Sequence, residues 1–502
     1  MIRTFILFVI SLLGVTAQAH VGSPDLFYNG DIGPYPARVT IRMPGVIPGR
    51  AEISVRLETN KPVEVSFLPL YAKTEIKNAP PPDIGKLVKG ETNLYSGELW
   101  LMSFGAYSVE VRLKGEEGSG SVQIPLTSVA TRQLPMPALL GNILLALGTI
   151  LVLGALGIAY AAGREAGLFP GQIPGGRERQ KGIIATVTTM VILTAALFGG
   201  RVWWNAEERG FQLHLREGAW PDLTAEVREE DGQKILRLEL GEKAKNYIPP
   251  LIPDHGKLMH LFLIREGSRD AFGHVHPVRR YGRTFEVAVP PLPPGRYTVF
   301  CDLSYEGGSS STATTSVDLP ASSGAVAPPG DAALKNDPDD SWSSYAVEAV
   351  PKSDDPAPVF RLPDGMTVTW KAQKPLRIKR DASLQFEIRD AAGKPVALEP
   401  YMGMLSHAAV WHGDGSIFAH LHPTGNYSMA AQSFFANKAA REAGADASED
   451  DHSMHHDHGA ADPVSSVYLP YEFPESGDYR IWVQFKVQGR ILTAAFDASV
   501  GE

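Results

Sequence analysis

Cysteine is all but missing from this 502-residue chain, where Cys301 is the single copy. One thiol excludes an intramolecular disulfide and any cysteine-based zinc or iron–sulfur site. Cys301 lies in the apolar run Tyr297 to Leu303 and reads as a buried structural thiol in a strand. Positive charge is also in deficit: 47 Lys and Arg stand against 56 Asp and Glu, a net charge of −9. No basic patch with interleaved aromatics occurs, which argues against a nucleic-acid partner. The acidity is spread out and reads as a solvated surface. A hydrolytic constellation is lacking too, since nothing places a nucleophile beside the clustered histidines. The length is too great for one core, so three or four domains are expected.

Residues 1–19 read as a secretory signal. Arg3 supplies the charge, Phe5 to Val15 the apolar stretch, and Ala17 to Ala19 a small-x-small cleavage site. Cleavage there makes His20 the first residue. Two further apolar runs, about 138–162 and 183–204, are long enough to span a bilayer. The second ends in Trp203 and Trp204, which suit a membrane interface. Arg164, Arg177, Arg179 and Lys181 between the runs mark a cytoplasmic loop, residues 163–182. The expectation is a transmembrane helical hairpin over 136–204 in the inner (cytoplasmic) membrane, with the other domains facing the periplasm.

Those domains read as all-β. Ala51 to Leu57, Val63 to Phe67 and Tyr107 to Leu113 alternate apolar and polar residues between Gly and Pro breaks. Each domain closes on a Gly-x-Tyr strand, at Gly105, Gly295 and Gly477. This rhythm predicts small sandwiches, immunoglobulin- or cupredoxin-like, over 20–135, 205–320 and 346–502. Residues 321–345 read as a linker. Residues 424–465 interrupt the last domain as a His/Met-rich insert, helical at its start.

A near-repeat carries the chemistry. Pro253 to His260 reads Pro-Asp-His-Gly-Lys-Leu-Met-His, and Pro400 to His407 reads Pro-Tyr-Met-Gly-Met-Leu-Ser-His. Each precedes Phe-x-His-x-His-Pro: Phe272, His274, His276, Pro277 and Phe418, His420, His422, Pro423. A turn centred on Asp414 and Gly415 pairs Trp411 with Phe418, Ala409 with His420 and His407 with His422. Opposed residues share a face, and so do alternate ones, so three imidazoles converge. A loop centred near Ser268 does the same for His260, His274 and His276. Gapless alignment puts His255 onto Met402 as a fourth group in each copy. A set of three histidines and a methionine favours Cu(I), with zinc as the alternative. Phe262, Ile264, Phe272, Trp411 and Phe418 share the histidine faces, so a packed core with carbonyl-bonded imidazoles is the competing reading.

Weaker candidates are Met404 and Met429, and the tract of His452, Met454, His455, His456 and His458, which suits metal capture. A free His20 offers an amine and an imidazole, but no other histidine lies in 21–135 to complete a brace.

The two repeats resemble the YtkA-like and CopC-like secreted β-sandwich domains linked to copper handling. Leu384 to Leu398, leading into Met402 and His407, is similar to YtkA-like domains in particular. The layout also resembles the copper subunit of particulate methane and ammonia monooxygenases. Only His20 carries over from that family's site, because the His-x-His pairs here follow the helices, so the likeness is architectural. The resemblance implies a membrane-anchored periplasmic protein that captures, stores or delivers copper, with a periplasmic or membrane protein as a partner. A copper-dependent oxidative enzyme or subunit is one alternative. A scaffold whose histidines are structural is the other.

Overall fold

The alternating runs of the N-terminal region all fall in strands: Gly49–Leu57, Val63–Tyr71 and Gly105–Gly115. The computed structural model describes residues 23–218, 221–230, 233–241, 250–321, 335–382, 384–444 and 464–502. Within them the chain builds three β-sandwiches and two long apolar helices. In the N-terminal sandwich a five-stranded sheet runs in the order Asp25–Ile32, Tyr35–Arg42, Gly49–Leu57, Leu94–Leu101, Lys86–Leu87. A four-stranded sheet, with Val63–Tyr71 and Gly105–Gly115 at its centre, shares its core through Val39, Ile53, Val65 and Val111.

The Gly-x-Tyr motifs act alike in all three sandwiches. Each opens an 11-residue strand: Gly105–Gly115, Gly295–Tyr305 and Gly477–Val487. The opening glycines have φ of 121°, 142° and 140°, where a Cβ is poorly tolerated. Each tyrosine hydroxyl then bonds to backbone four residues upstream. Tyr107 accepts from the Ser103 amide at 3.2 Å, Tyr297 donates to Pro293 O at 2.7 Å and Tyr479 to Glu475 O at 2.8 Å.

The sandwich of the first repeat pairs a four-stranded sheet with a larger one. The larger runs Leu251–Ile252, Gly295–Tyr305, His260–Arg265, Ala271–Val275, Ser341–Ser344, with Ser310–Leu319 also on Gly295–Tyr305. The second-repeat sandwich carries the sheet Phe418–Leu421, His407–His412, Gly477–Val487, Arg490–Val500. Both repeat hairpins are buried on both faces. Leu261, Leu263 and Val275 enter the first sandwich's own core. Phe262, Ile264, Phe272 and Phe300 instead join the core of the second. Phe300 stacks on Phe418 with centroids 4.2 Å apart, and Phe272 on Trp482 at 4.9 Å. The two histidine-bearing faces therefore pack against each other.

The helices are Ala138–Glu165 and Gly176–Gly218, both long and apolar enough to cross a membrane. The connection expected over 163–182 is shorter, residues 166–175. They meet at small residues: a Cβ on Gly163 would stand 2.7 Å from that of Ala185. The second helix continues past Trp204, so the first-repeat sandwich begins at the strand Leu223–Glu230 and not at 205. Ala206, Glu207, Glu208 and Gln212 are good helix formers. Gln133 also holds the extension, donating to Glu208 at 3.1 Å and accepting from Gln212 at 2.9 Å. Residues 132–217 form one compact unit, and the three sandwiches together form the other.

Two further segments differ from expectation. Within 321–345, read as a linker, Ser341–Ser344 is a strand paired with Ala271–Val275. Its Asp- and Ser-rich composition hides it, because an edge strand needs little apolar surface. At the second hairpin the register is as expected, Trp411 opposite Phe418 and Ala409 opposite His420. The turn is not: Gly415 alone has positive φ (81°), while Asp414 accepts from the Ser416 amide at 2.8 Å. The start of the insert is helical as expected, over Met429–Glu442, capped by Ser428 accepting from the Ala431 amide at 3.1 Å. The loop before that helix docks on the N-terminal sandwich. The Asn29 amide donates to Thr424 O at 2.8 Å and the Phe27 amide to Asn426 Oδ1 at 2.8 Å.

Candidate metal centre

Strand alternation places the histidines as the register requires. His260 opens one strand and His274 lies opposite Phe262 on its partner. Continuing that register brings His276 opposite His260. One ring nitrogen from each of His260, His274 and His276 lies within 4.8 Å of the others, and the same holds for His407, His420 and His422. Either triad can hold a metal ion.

The ring tautomers follow from their partners. In the first triad His260 Nε2 faces Asp254 O at 3.0 Å, and a carbonyl only accepts, so Nε2 carries the proton. His274 Nδ1 faces Gln484 Oε1 at 2.9 Å. The amide nitrogen of Gln484 is occupied by Ser341 and Thr493, which fixes Oε1 toward the ring. Both remaining nitrogens, His260 Nδ1 and His274 Nε2, are thus bare lone pairs, and they face each other at 3.3 Å. No proton is left to place between them. Two ligands of a tetrahedral ion with bonds of about 2.0–2.1 Å stand about 3.3–3.4 Å apart. His276 adds a third: its Nδ1 donates to Asp340 Oδ1 at 3.0 Å, leaving Nε2 buried without a partner.

The second triad repeats this plan. His407 Nε2 donates to Tyr401 O at 3.0 Å, and His407 Nδ1 faces His420 Nε2 at 3.2 Å. His420 Nδ1 meets the Asp302 carboxyl at 3.3 Å. Neither ring nitrogen of His422 has a hydrogen-bond partner. Burial pushes all six rings below the usual imidazole range, His260 to about 4. The neighbouring imidazoles add to that lowering. Rings held neutral at pH 7 are the form a metal requires. A buried polar atom without a partner costs about 1–3 kcal/mol, and a metal ion would supply these ring nitrogens with one.

The residues just outside the triads are related across the repeats. Asp254 and Tyr401 are equivalent carbonyl acceptors. Asp302 and Gln484 sit directly opposite His260 and His407 in neighbouring strands. Each orients a ring of the other repeat, Asp302 that of His420 and Gln484 that of His274. These were not singled out from sequence, although a signal existed. Both lie at the same offset from the glycine of their Gly-x-Tyr strands, Gly295 and Gly477. Burial raises the Asp302 carboxyl to about 7 and that of Asp340 to about 6.

His255 and Met402 share a left-handed backbone, φ 49° and 50°, as their alignment implies. His255 does not sit with its own repeat alone. Its ring centroid is 4.6 Å from His422 and 5.7 Å from His407, against 6.2 Å from His260. Met402 is half-buried in the equivalent turn. Met404 is half-buried, with its sulfur 3.9 Å from the Thr424 hydroxyl. Met429 packs against the core of the N-terminal sandwich. His20, His452, Met454, His455, His456 and His458 lie outside the described residues. Cys301 is fully buried in the first-repeat core, as expected of a structural thiol.

A family model for a domain of unknown function, DUF8832, matches residues 219–320, 360–445 and 446–502, and both repeats lie inside those segments. No curated protein matches the chain. Among solved structures, Salmonella alpha-2-macroglobulin reacted with methylamine aligns at 10% identity and a TM-score of 0.20, over 97% of this chain and 24% of that one. Trypsin-activated alpha-2-macroglobulin from Escherichia coli aligns at 9% identity and 0.17, over 98% and 24%. The chain thus spans about a quarter of their length. A chimeric titin Z1Z2 aligns at 9% identity and a TM-score of 0.12, over 56% of this chain and 98% of that one.

Proposed function

We propose that this chain is a membrane-anchored periplasmic copper-binding protein that captures, stores or hands on copper. The observation that carries the reading is the facing pair of bare nitrogens, His260 Nδ1 and His274 Nε2, whose protons are both committed elsewhere. A purely structural role leaves that contact repulsive. Neutral imidazoles suit copper and zinc alike, and the choice of Cu(I) rests on the sequence alignment of Met402 with His255. The likeness of the repeats to YtkA-like and CopC-like domains points the same way. Burial favours retention over turnover. His274 and His407 have no exposure and His260, His276 and His422 at most 5%, with His420 alone half-buried, which leaves a substrate little access. The apolar helices supply the anchor, and the signal-like residues 1–19 the export.

The test is metal analysis of the purified full chain after reconstitution with copper and with zinc. At least one tightly held equivalent is expected, with copper retained against a chelator that strips zinc. A double change, His260→Ala with His407→Ala, is expected to abolish that uptake. Less than about a tenth of an equivalent in the wild-type chain overturns the reading and leaves the scaffold. Oxygen consumption by the loaded protein would instead establish the enzyme.

A further inference from the structure

Two triads need not mean two independent sites. Between repeats, the His260 and His420 rings are 5.3 Å apart and those of His274 and His420 5.5 Å apart. Within repeats, His260 and His274 are 5.5 Å apart, as are His407 and His420. Among the six triad rings the shortest distances lie within each triad, 4.4 Å for His420–His422 and 4.8 Å for His274–His276 and His407–His422, yet the six form one contiguous cluster across the repeats. The outer groups are exchanged as well, since Asp302 holds His420 and Gln484 holds His274. His255, with a buried and unpartnered Nε2, lies closest to the rings of the other repeat.

We propose that the two triads form a single two-ion centre, with His255 of the first repeat completing the second triad, so that the ions are taken up cooperatively. This rests on the metal reading above. Seven imidazoles exceed the four ligands of one tetrahedral ion. An ion in the second triad alone leaves the facing lone pairs of His260 and His274, and an ion in the first alone leaves both ring nitrogens of His422 buried without a partner. Filling either triad fixes rings that are hydrogen-bonded by the opposite repeat, so it orders the second site before its ion arrives. Two cations this close repel, and three carboxylates offset that repulsion. Asp302 contacts His420, Asp340 contacts His276, and Asp254 stands 3.9 Å from His255 Nε2.

The experiment uses the full chain in detergent, with His452, His455, His456 and His458 replaced by alanine so that the tract does not contribute. Cu(I) is titrated against a chromogenic chelator of known affinity. Two equivalents are expected, with a Hill coefficient above 1. His422→Ala should weaken binding at the intact first triad at least tenfold, and His255→Ala should reduce the count or the affinity of the second ion. Circular dichroism must match the parent for either variant to count. After oxidation, the spin count of the two-ion form by electron paramagnetic resonance should fall well below two per chain through coupling. Two non-cooperative ions with full spin intensity, or a His422→Ala protein whose remaining ion binds with parental affinity, overturn the composite centre while leaving the metal reading intact. No bound metal at all overturns the function itself.

Discussion

At the scale of single residues, the site is governed by what each imidazole does with its second nitrogen. A ligating ring is oriented by the acceptor behind it, and losing that acceptor typically lowers metal affinity about 10–100-fold. Asp302 is the ionisable member of the exchanged pair and Gln484 the neutral one. Asp302→Asn removes the ionisable carboxyl while keeping an oxygen for Thr312, which now donates to Asp302 Oδ1 at 2.6 Å. The expected result is a loss of about 10–100-fold in affinity at the second triad with little change in melting temperature, read by chelator competition. The triads themselves were legible in the sequence. Strand periodicity and the spacing of His407, His420 and His422 were enough, because those relations are local. The role of Asp302 was not, because it depends on a residue of another domain.

At the scale of elements, the informative piece is the loop from His422 to Ser428. It leaves the second triad, crosses to the N-terminal sandwich and enters the insert helix. Gly425 makes the crossing possible: its φ is 141°, and a Cβ there would stand 1.9 Å from Phe27 O. Gly425→Ala therefore forces the loop off the strand Asp25–Ile32. A loss of about 2 kcal/mol or more is expected, with faster hydrogen exchange at the Asn29 and His422 amides. The hairpin register was readable from the Asp414–Gly415 pair even though the turn adopts another geometry, since loop length fixes register whatever the turn type. The strand Ser341–Ser344 escaped because composition reports burial, and this strand is held by backbone pairing. Its neighbour Asp340, the partner of His276, escaped with it.

At the scale of the whole molecule, polar contacts join the N-terminal sandwich to the second-repeat sandwich, including the Arg42–Glu472 ion pair at 2.5 Å. Asp25 is buried near it, and burial raises its carboxyl to about 6 despite the opposing pull of Arg42. A folded pKa above the unfolded one means the folded chain holds the proton more tightly. Stability from this group is therefore full below about pH 4 and lost as pH rises through about 6. Asp25→Asn should raise the apparent melting temperature at pH 7.5, by up to about 3 kcal/mol in stability terms, and change nothing at pH 4. Parallel melts of the two proteins across that range check it. The sandwiches were legible one by one, from alternation and the Gly-x-Tyr openings. Their association was not, since Phe262 and Phe272 look the same in sequence whether they line their own domain or a neighbour's.

The hairpins buried on both sides also set a timetable for synthesis. The first repeat emerges with its Phe262, Ile264 and Phe272 surface ready, but the matching surface around Trp482 is about 200 residues behind. At about 5–20 residues per second, that is a delay of roughly 10–40 s. Throughout it, the nascent chain carries an uncovered greasy plate and three unshielded rings, and anything that binds either one at that stage decides whether the two halves ever close.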